Sequence, residues 1–152
     1  MAKKILFVCT GNTCRSPMAK VMLEDMIAKE PSLKQAAIEV DSAGVFARKN
    51  PATQLAREVV GDYGLDLTTH QSKPVHIVLV DWADLVLVME RDNMEEVQAR
   101  FPDADGKVRL LSEYVGESGD VPDPYLCGLQ SYTDCAARIN ELIGKLAAML
   151  KG

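Results

Sequence analysis

The sequence predicts an α/β fold, a doubly wound three-layer sandwich around a central parallel sheet of four strands. Three observations carry that expectation. Short apolar runs alternate with helical patterns from the N-terminus onward, as they do where parallel strands are joined by crossover helices. The run ADLVLVM at 83–89 is apolar on both faces, as a strand in the middle of a covered sheet must be. Finally, Tyr132, Cys135, Ala136, Ile139, Leu142, Ile143, Leu146, Met149 and Leu150 keep helical spacing over roughly five turns, enough for one long helix lying on a sheet face.

Taken in order, residues 3–8 form the first buried strand and residues 16–30 a helix. Met18, Val21, Met22 and Met26 give that helix an apolar stripe, with Pro17 at its first position, where a missing N–H costs nothing. The methionines are adaptable core residues on this reading. Residues 38–42 are the second strand, and residues 51–63 a helix closed by GDYG. A short helix covers 73–81, ahead of the strand at 83–89. Residues 92–100 are helical until Pro102 and DADG stop them, and 108–111 make the fourth strand. Trp82, the only tryptophan, precedes a buried strand and reads as packing; Cys135, on the apolar stripe, reads as a small buried hydrophobe. With no linker or repeat, residues 1–152 read as a single domain.

Charge and cysteine usage remove several function classes. Seventeen Lys and Arg against 22 Asp and Glu leave a net charge of −5, which speaks against general nucleic-acid binding. No apolar run is long enough to cross a bilayer, and 5–8 is too short for a signal peptide, so a cytoplasmic protein without membrane attachment is expected. Cys9, Cys14, Cys127 and Cys135 are unevenly spaced, which suits reduced thiols better than a disulfide framework. Neither close pair has the gap of a structural zinc site, and Arg15 beside the first pair opposes a cation. No metal or cofactor is expected.

The chemistry concentrates where the first strand ends. Cys9 sits at the carboxyl end of that strand, the edge of a parallel sheet at which ligands bind. The segment 10–14 then leads into a helix, so its backbone N–H groups and the helix N-terminus can cradle an anion. Gly11 permits unusual backbone angles and Asn12 tolerates the left-handed region. There is no Walker-type lysine; the fixed charge is Arg15, whose guanidinium grips two phosphoryl oxygens at once. The same surroundings favour a thiolate at Cys9, and Ser16 offers it a hydroxyl. A thiolate in an oxyanion cradle makes sense for nucleophilic attack on phosphorus.

The stretch CTGNTCRSP, with Cys9, five intervening residues, Arg15 and Ser16, resembles the signature of the low-molecular-weight protein tyrosine phosphatases. The segment DVPDPY at 120–125 is similar to that family's general-acid loop, and length and element order agree along the whole chain. The resemblance implies a flavodoxin-like sheet and a phosphoprotein phosphatase releasing inorganic phosphate without a cofactor. It implies Cys9 as nucleophile, forming a phosphocysteine, and Arg15 as transition-state stabiliser. Asp123 would be general acid and then base, and Ser16 a hydrogen-bond partner of the thiolate. Thr10, Gly11, Asn12, Thr13, Cys14 and Arg15 would form the phosphate-binding loop. Cys14 would be a reversible disulfide partner for an oxidised Cys9. Phe46 and Tyr125 would wall an aryl substrate, while Leu126 stands where many tyrosine-specific relatives carry a second aromatic residue. His70 lies near the position of a loop-supporting histidine, but its spacing does not align and it stays outside the expected site.

Phosphotyrosine, the family's general substrate, is the expected one. Thr13 raises an alternative: the family usually carries isoleucine there, whereas a branch similar to the bacterial protein arginine phosphatases carries threonine. Arsenate reductases share the scaffold, but they relay a disulfide through two further cysteines. Between Cys14 and Cys127 this chain has none.

Overall fold

The computed structural model describes residues 2–152. Its four strands, β1 (Lys4–Cys9), β2 (Glu39–Gly44), β3 (Leu85–Val88) and β4 (Val108–Leu110), form one parallel sheet in the order β2-β1-β3-β4. The helices are α1 (Arg15–Lys29), α2 (Pro31–Gln35), α3 (Gln54–Gly61), α4 (Ile77–Trp82), α5 (Arg91–Arg100), α6 (Leu111–Tyr114) and α7 (Leu129–Lys151). The expected sandwich and its four parallel strands are borne out.

The alternation of side chains along β1 and β3 builds a core on each face. Ile5, Phe7, Leu85 and Leu87 pack beneath α1, α3 and α7, among them Met18, Met22, Val60, Ile139 and Leu146. Leu6, Val8, Val86 and Val88 face the other way, against Val80 of α4 and Val97 of α5, with Trp82 packed at the edge of that cluster. Each of these fully buried side chains contributes about 1.5–3 kcal/mol relative to exposure. The β1 strand is thereby held between two cores, and Cys9 at its end is fixed.

The boundaries differ from the sequence reading where local pairing competes with helical pattern. The helix expected over 51–63 begins only at Gln54, because Pro51 is tied by an antiparallel bridge to Gln71 and the Thr53 hydroxyl caps the first turn through the Ala56 N–H. The helix expected over 73–81 begins at Ile77, since residues 73–75 extend the sheet edge: Gly44 N–H donates to the Lys73 carbonyl, and Val75 N–H to the Gly44 carbonyl. Helix α1 starts one residue early, so Pro17 is its third residue, still within the turn whose N–H groups lack helical acceptors. Two short helices, α2 and α6, and the 3-10 turn Pro102–Lys107 are too brief to leave a periodic signature.

Candidate active site

Between Cys9 and the first residue of α1, the chain folds residues 10–14 around the Cys9 sulfur. The Asn12 N–H donates to Sγ at 3.3 Å, and the Ser16 hydroxyl lies 2.9 Å from it. Cys9 is only 2 % exposed, yet it opens onto a cavity of about 600 Å³ that the whole loop lines. The sulfur is thus shielded by polar donors on the loop side and reachable from the cavity alone.

Asn12 holds the loop in shape. Its backbone is left-handed, with φ of 56°, and its side chain is fully buried and fully used. The amide nitrogen donates to the Ser16 and Ser42 hydroxyls at 2.8 and 3.0 Å, and the amide oxygen accepts the Lys73 N–H at 3.0 Å. The strain of a left-handed non-glycine residue, of order 1 kcal/mol, is offset by these bonds. Gly44, paired with Cys9 across the sheet, lets the loop come this close. A Cβ there would stand 2.5 Å from the Thr10 carbonyl oxygen and 2.9 Å from the Asn12 nitrogen, both backbone atoms. Gly44→Ala is therefore expected to cost about 1–3 kcal/mol of stability and most of the turnover. Thermal melts and kcat of the purified variant check this, and an unchanged kcat would contradict it.

The structure corrects the placement of His70. Because residues 73–75 run extended beside β2, His70 reaches the loop, and its Nε2 lies 2.7 Å from the Asn12 carbonyl oxygen. That contact needs a protonated Nε2 facing the oxygen, which the neutral tautomer supplies. Burial pushes the His70 pKa down, more than the bond to Asn12 raises it, and Lys20 and Lys73 push it lower still. The unfolded chain takes up this proton near pH 6.5, while the folded chain resists it to lower pH. The contribution is present above that value and is lost as pH falls toward the folded pKa. Wild-type melting temperature should accordingly drop more steeply below about pH 6.5 than that of His70→Gln, whose amide N–H does not titrate. Parallel curves from the two proteins would remove His70 from this role.

Arg15 is buried, 1 % exposed, and clamped from three directions. Its Nη1 donates to the Val121 carbonyl and pairs with Glu90 Oε1, both at 2.9 Å; its Nη2 reaches the Thr10 hydroxyl at 3.3 Å and Asp123 Oδ2 at 3.5 Å. Burial alone would lower its pKa, but the charges of Cys9, Glu90 and Asp123 together push it up. The guanidinium is a permanent cation at the cavity floor. Glu90 and Asn93, which donates to the Thr10 hydroxyl at 3.1 Å, are supports that sequence reasoning missed. One signal pointed to Glu90: it follows β3 at the carboxyl edge of the sheet, where sites are built.

The remaining expected residues fall on or beside the same cavity. Thr10, Gly11, Thr13, Cys14, Phe46, Asp123 and Tyr125 all line it. Asp123 is steadied by the Tyr125 N–H, which donates to its Oδ1 at 3.1 Å. Phe46 and Tyr125 are largely exposed, the Phe46 ring lying under the Arg100 guanidinium. Leu126 points to solvent, 86 % exposed. Cys14 caps α1 without using its side chain, and its thiol pKa is pushed up by a hydrogen bond with Cys135 and by burial. Cys14 thus stays protonated beside a sulfur that has donors around it. Cys127 is exposed, and it lines a separate cavity with Asp123 and Cys135.

A sulfur that meets an amide N–H and a hydroxyl, with a fixed guanidinium and a carboxylate on the same cavity, can accept a phosphoryl group and pass it to water. That is the working part of the cysteine-dependent phosphatases. Within that class the chain belongs to the low molecular weight phosphotyrosine protein phosphatase family, whose description matches residues 4–152, and it is a hydrolase of that family. It is 40 % identical to a protein-arginine-phosphatase of Bacillus subtilis, over 97 % of this chain and 96 % of that protein. It is 35 % identical to the low molecular weight protein-tyrosine-phosphatase Etp of Escherichia coli, over 80 % of this chain and 76 % of that one. Among solved structures, the arginine phosphatase YwlE, in a mutant with a phosphorylated active-site serine, superposes with a TM-score of 0.91 at 37 % identity. That match covers 97 % of this chain and 95 % of that one. No helix among the described residues is long and apolar enough to cross a membrane.

Proposed function

We propose that this phosphatase acts on phosphoarginine in proteins, through a phosphocysteine intermediate. Cys9 thiolate attacks phosphorus in line while the bond to the leaving group breaks. The loop N–H groups and Arg15 hold the equatorial oxygens as their charge builds. Asp123 delivers a proton to the departing nitrogen, then takes one from the water that hydrolyses the phosphocysteine and releases inorganic phosphate. Cys14 is the reserve partner for Cys9 oxidised to the sulfenic acid: its thiol displaces water to form a disulfide, which a small-molecule thiol reduces back to two thiols. Four free thiols suit a reducing cytoplasmic setting. A net charge of −5 gives no support to a nucleic-acid partner.

The observation that carries the choice of arginine is Thr13, a hydroxyl-bearing residue in the wall of the cavity where the family's tyrosine phosphatases usually place isoleucine. Near-complete coverage by a protein-arginine-phosphatase at 40 % identity supports it, as does a phosphorylated active-site serine in the YwlE mutant for a covalent phosphoryl enzyme. Asp123 at the cavity also suits a leaving group that departs as a guanidine and needs a proton and a counter-charge. Phosphotyrosine, the family's general substrate, is the second reading; Phe46 and Tyr125, both lining the cavity, favour it as flanks for a flat ring.

The two are separated by comparing matched phosphoarginyl and phosphotyrosyl peptides on wild type and Thr13→Ile. The proposal expects wild type to favour phosphoarginine in kcat/KM and Thr13→Ile to move the preference toward phosphotyrosine. A wild-type preference for phosphotyrosine that Thr13→Ile leaves in place would overturn it.

A further inference from the structure

The cavity extends well beyond the cradle for one phosphoryl group. Past the loop, its wall is made by Arg48, Asn50, Gln54 and Arg57, from the segment between β2 and α3 and from the first turn of α3. Besides Arg15, eight cations pair with a carboxylate: Lys20, Lys29, Lys73, Arg91, Arg100, Arg138, Lys145 and Lys151. Arg48 and Arg57 have no carboxylate within ion-pair distance among the described residues, and neither side chain donates a hydrogen bond there. Arg57 is half-buried and Arg48 is exposed.

Two unpaired guanidinium groups in one cavity wall, on a protein of net charge −5, create a local positive field against a negative background. An arginine in such a wall, planar and with five donors, is suited to gripping a carboxylate or a phosphoryl group. Neither guanidinium contacts Arg15 or its carboxylate partners, so the phosphoryl cradle does not require them.

We propose that Arg48 and Arg57 form a second anion subsite, which selects protein substrates carrying a negative group close to the phosphorylated residue. This rests on the phosphatase reading above. The negative group is either an aspartate or glutamate carboxylate or a second phosphoryl group on a neighbouring residue. The subsite would steer substrates that the rest of the surface repels, and orient the peptide across the cavity.

The test measures kcat/KM for phosphopeptides, in both phosphoarginyl and phosphotyrosyl series, whose flanking residues are glutamate, phosphoserine, alanine or lysine. Wild type should favour the glutamate-flanked peptide over the alanine-flanked one by roughly 2- to 30-fold, the sum of two exposed charge pairs. The preference should shrink in about 1 M salt, where the Debye length is ~3 Å. Arg48→Gln combined with Arg57→Gln should bring the ratio close to one, and Arg57→Glu should turn it toward lysine-flanked peptides. A larger advantage for phosphoserine than for glutamate assigns the subsite to a second phosphoryl group; the reverse assigns it to a carboxylate. Equal wild-type rates on all flanks, or a glutamate preference that survives the double substitution, would overturn the subsite while leaving the phosphatase intact. Absence of hydrolysis of every peptide by wild type would instead strike the phosphatase reading on which it rests.

Discussion

Cys9→Ser is expected to leave the protein folded and to lower turnover of any phosphorylated substrate by roughly 10⁴-fold or more. A serine oxygen fits the space of the sulfur and inherits its partners, the Ser16 hydroxyl and the Asn12 N–H, so the loop has no reason to rearrange. What is lost is the thiolate, the stronger nucleophile and the better leaving group. A hydroxyl carries its proton at neutral pH, and no residue placed to remove it touches Cys9: its neighbours are a hydroxyl, an amide N–H and a cation. Phosphate binding, measured by calorimetry or by protection against thermal unfolding, should persist, because Arg15 and the loop N–H groups remain. Loss of binding together with turnover would mean that the substitution had disturbed the cradle itself.

Arg15→Lys carries the second-largest expected effect, a fall in kcat of about 10³-fold or more, the scale on which a guanidinium at a transferring phosphoryl group acts. The substitution keeps the charge and removes the fork. In the folded protein that fork spans Val121, Glu90, Thr10 and Asp123, and an ammonium group can occupy only part of this arrangement. Glu90 is the residue most affected, since its carboxylate is largely enclosed and has Arg15 as its ion-pair partner. Removing the charge altogether, in Arg15→Ala, is expected to destabilise the fold, because the largely enclosed Glu90 carboxylate is left without its ion-pair partner. Urea unfolding separates the two effects: the lysine variant should be near wild type in stability and far below it in rate. A lysine variant with near-normal kcat would show that charge alone, without the bidentate grip, suffices.

The strength of the sequence signal followed the length and regularity of each element. The β1 strand, the loop after it and helix α7 were readable because each imposes a pattern: an apolar run, a spaced thiol and guanidinium, a stripe over many turns. The starts of α3 and α4 were not, because a bridge at Pro51 and the pairing of Gly44 with residues 73–75 are long-range events that no local propensity announces. The same division runs through the site. Cys9, Arg15, Ser16 and Asp123 stand in short contiguous motifs, and the structure brings Arg15 to within reach of Asp123 across more than a hundred residues. His70, Glu90 and Asn93 act on the loop from two other segments, each as an ordinary polar residue whose meaning depends on the fold. Cys135 is similar. Its place on an apolar stripe is correct, and its adjacency to Cys14 appears only when α7 is laid against α1.

In the proposed reaction, phosphorus becomes bonded to the Cys9 sulfur. Rapid quenching of the enzyme with an isotopically labelled phosphopeptide, followed by mass spectrometry of the digested chain, tests this most directly, with Asp123→Ala used to slow the hydrolytic step. Label on the peptide containing Cys9, bound through sulfur, is the predicted result. Free phosphate released at the normal rate with no label on that peptide at any time, or label on a different side chain, would contradict it.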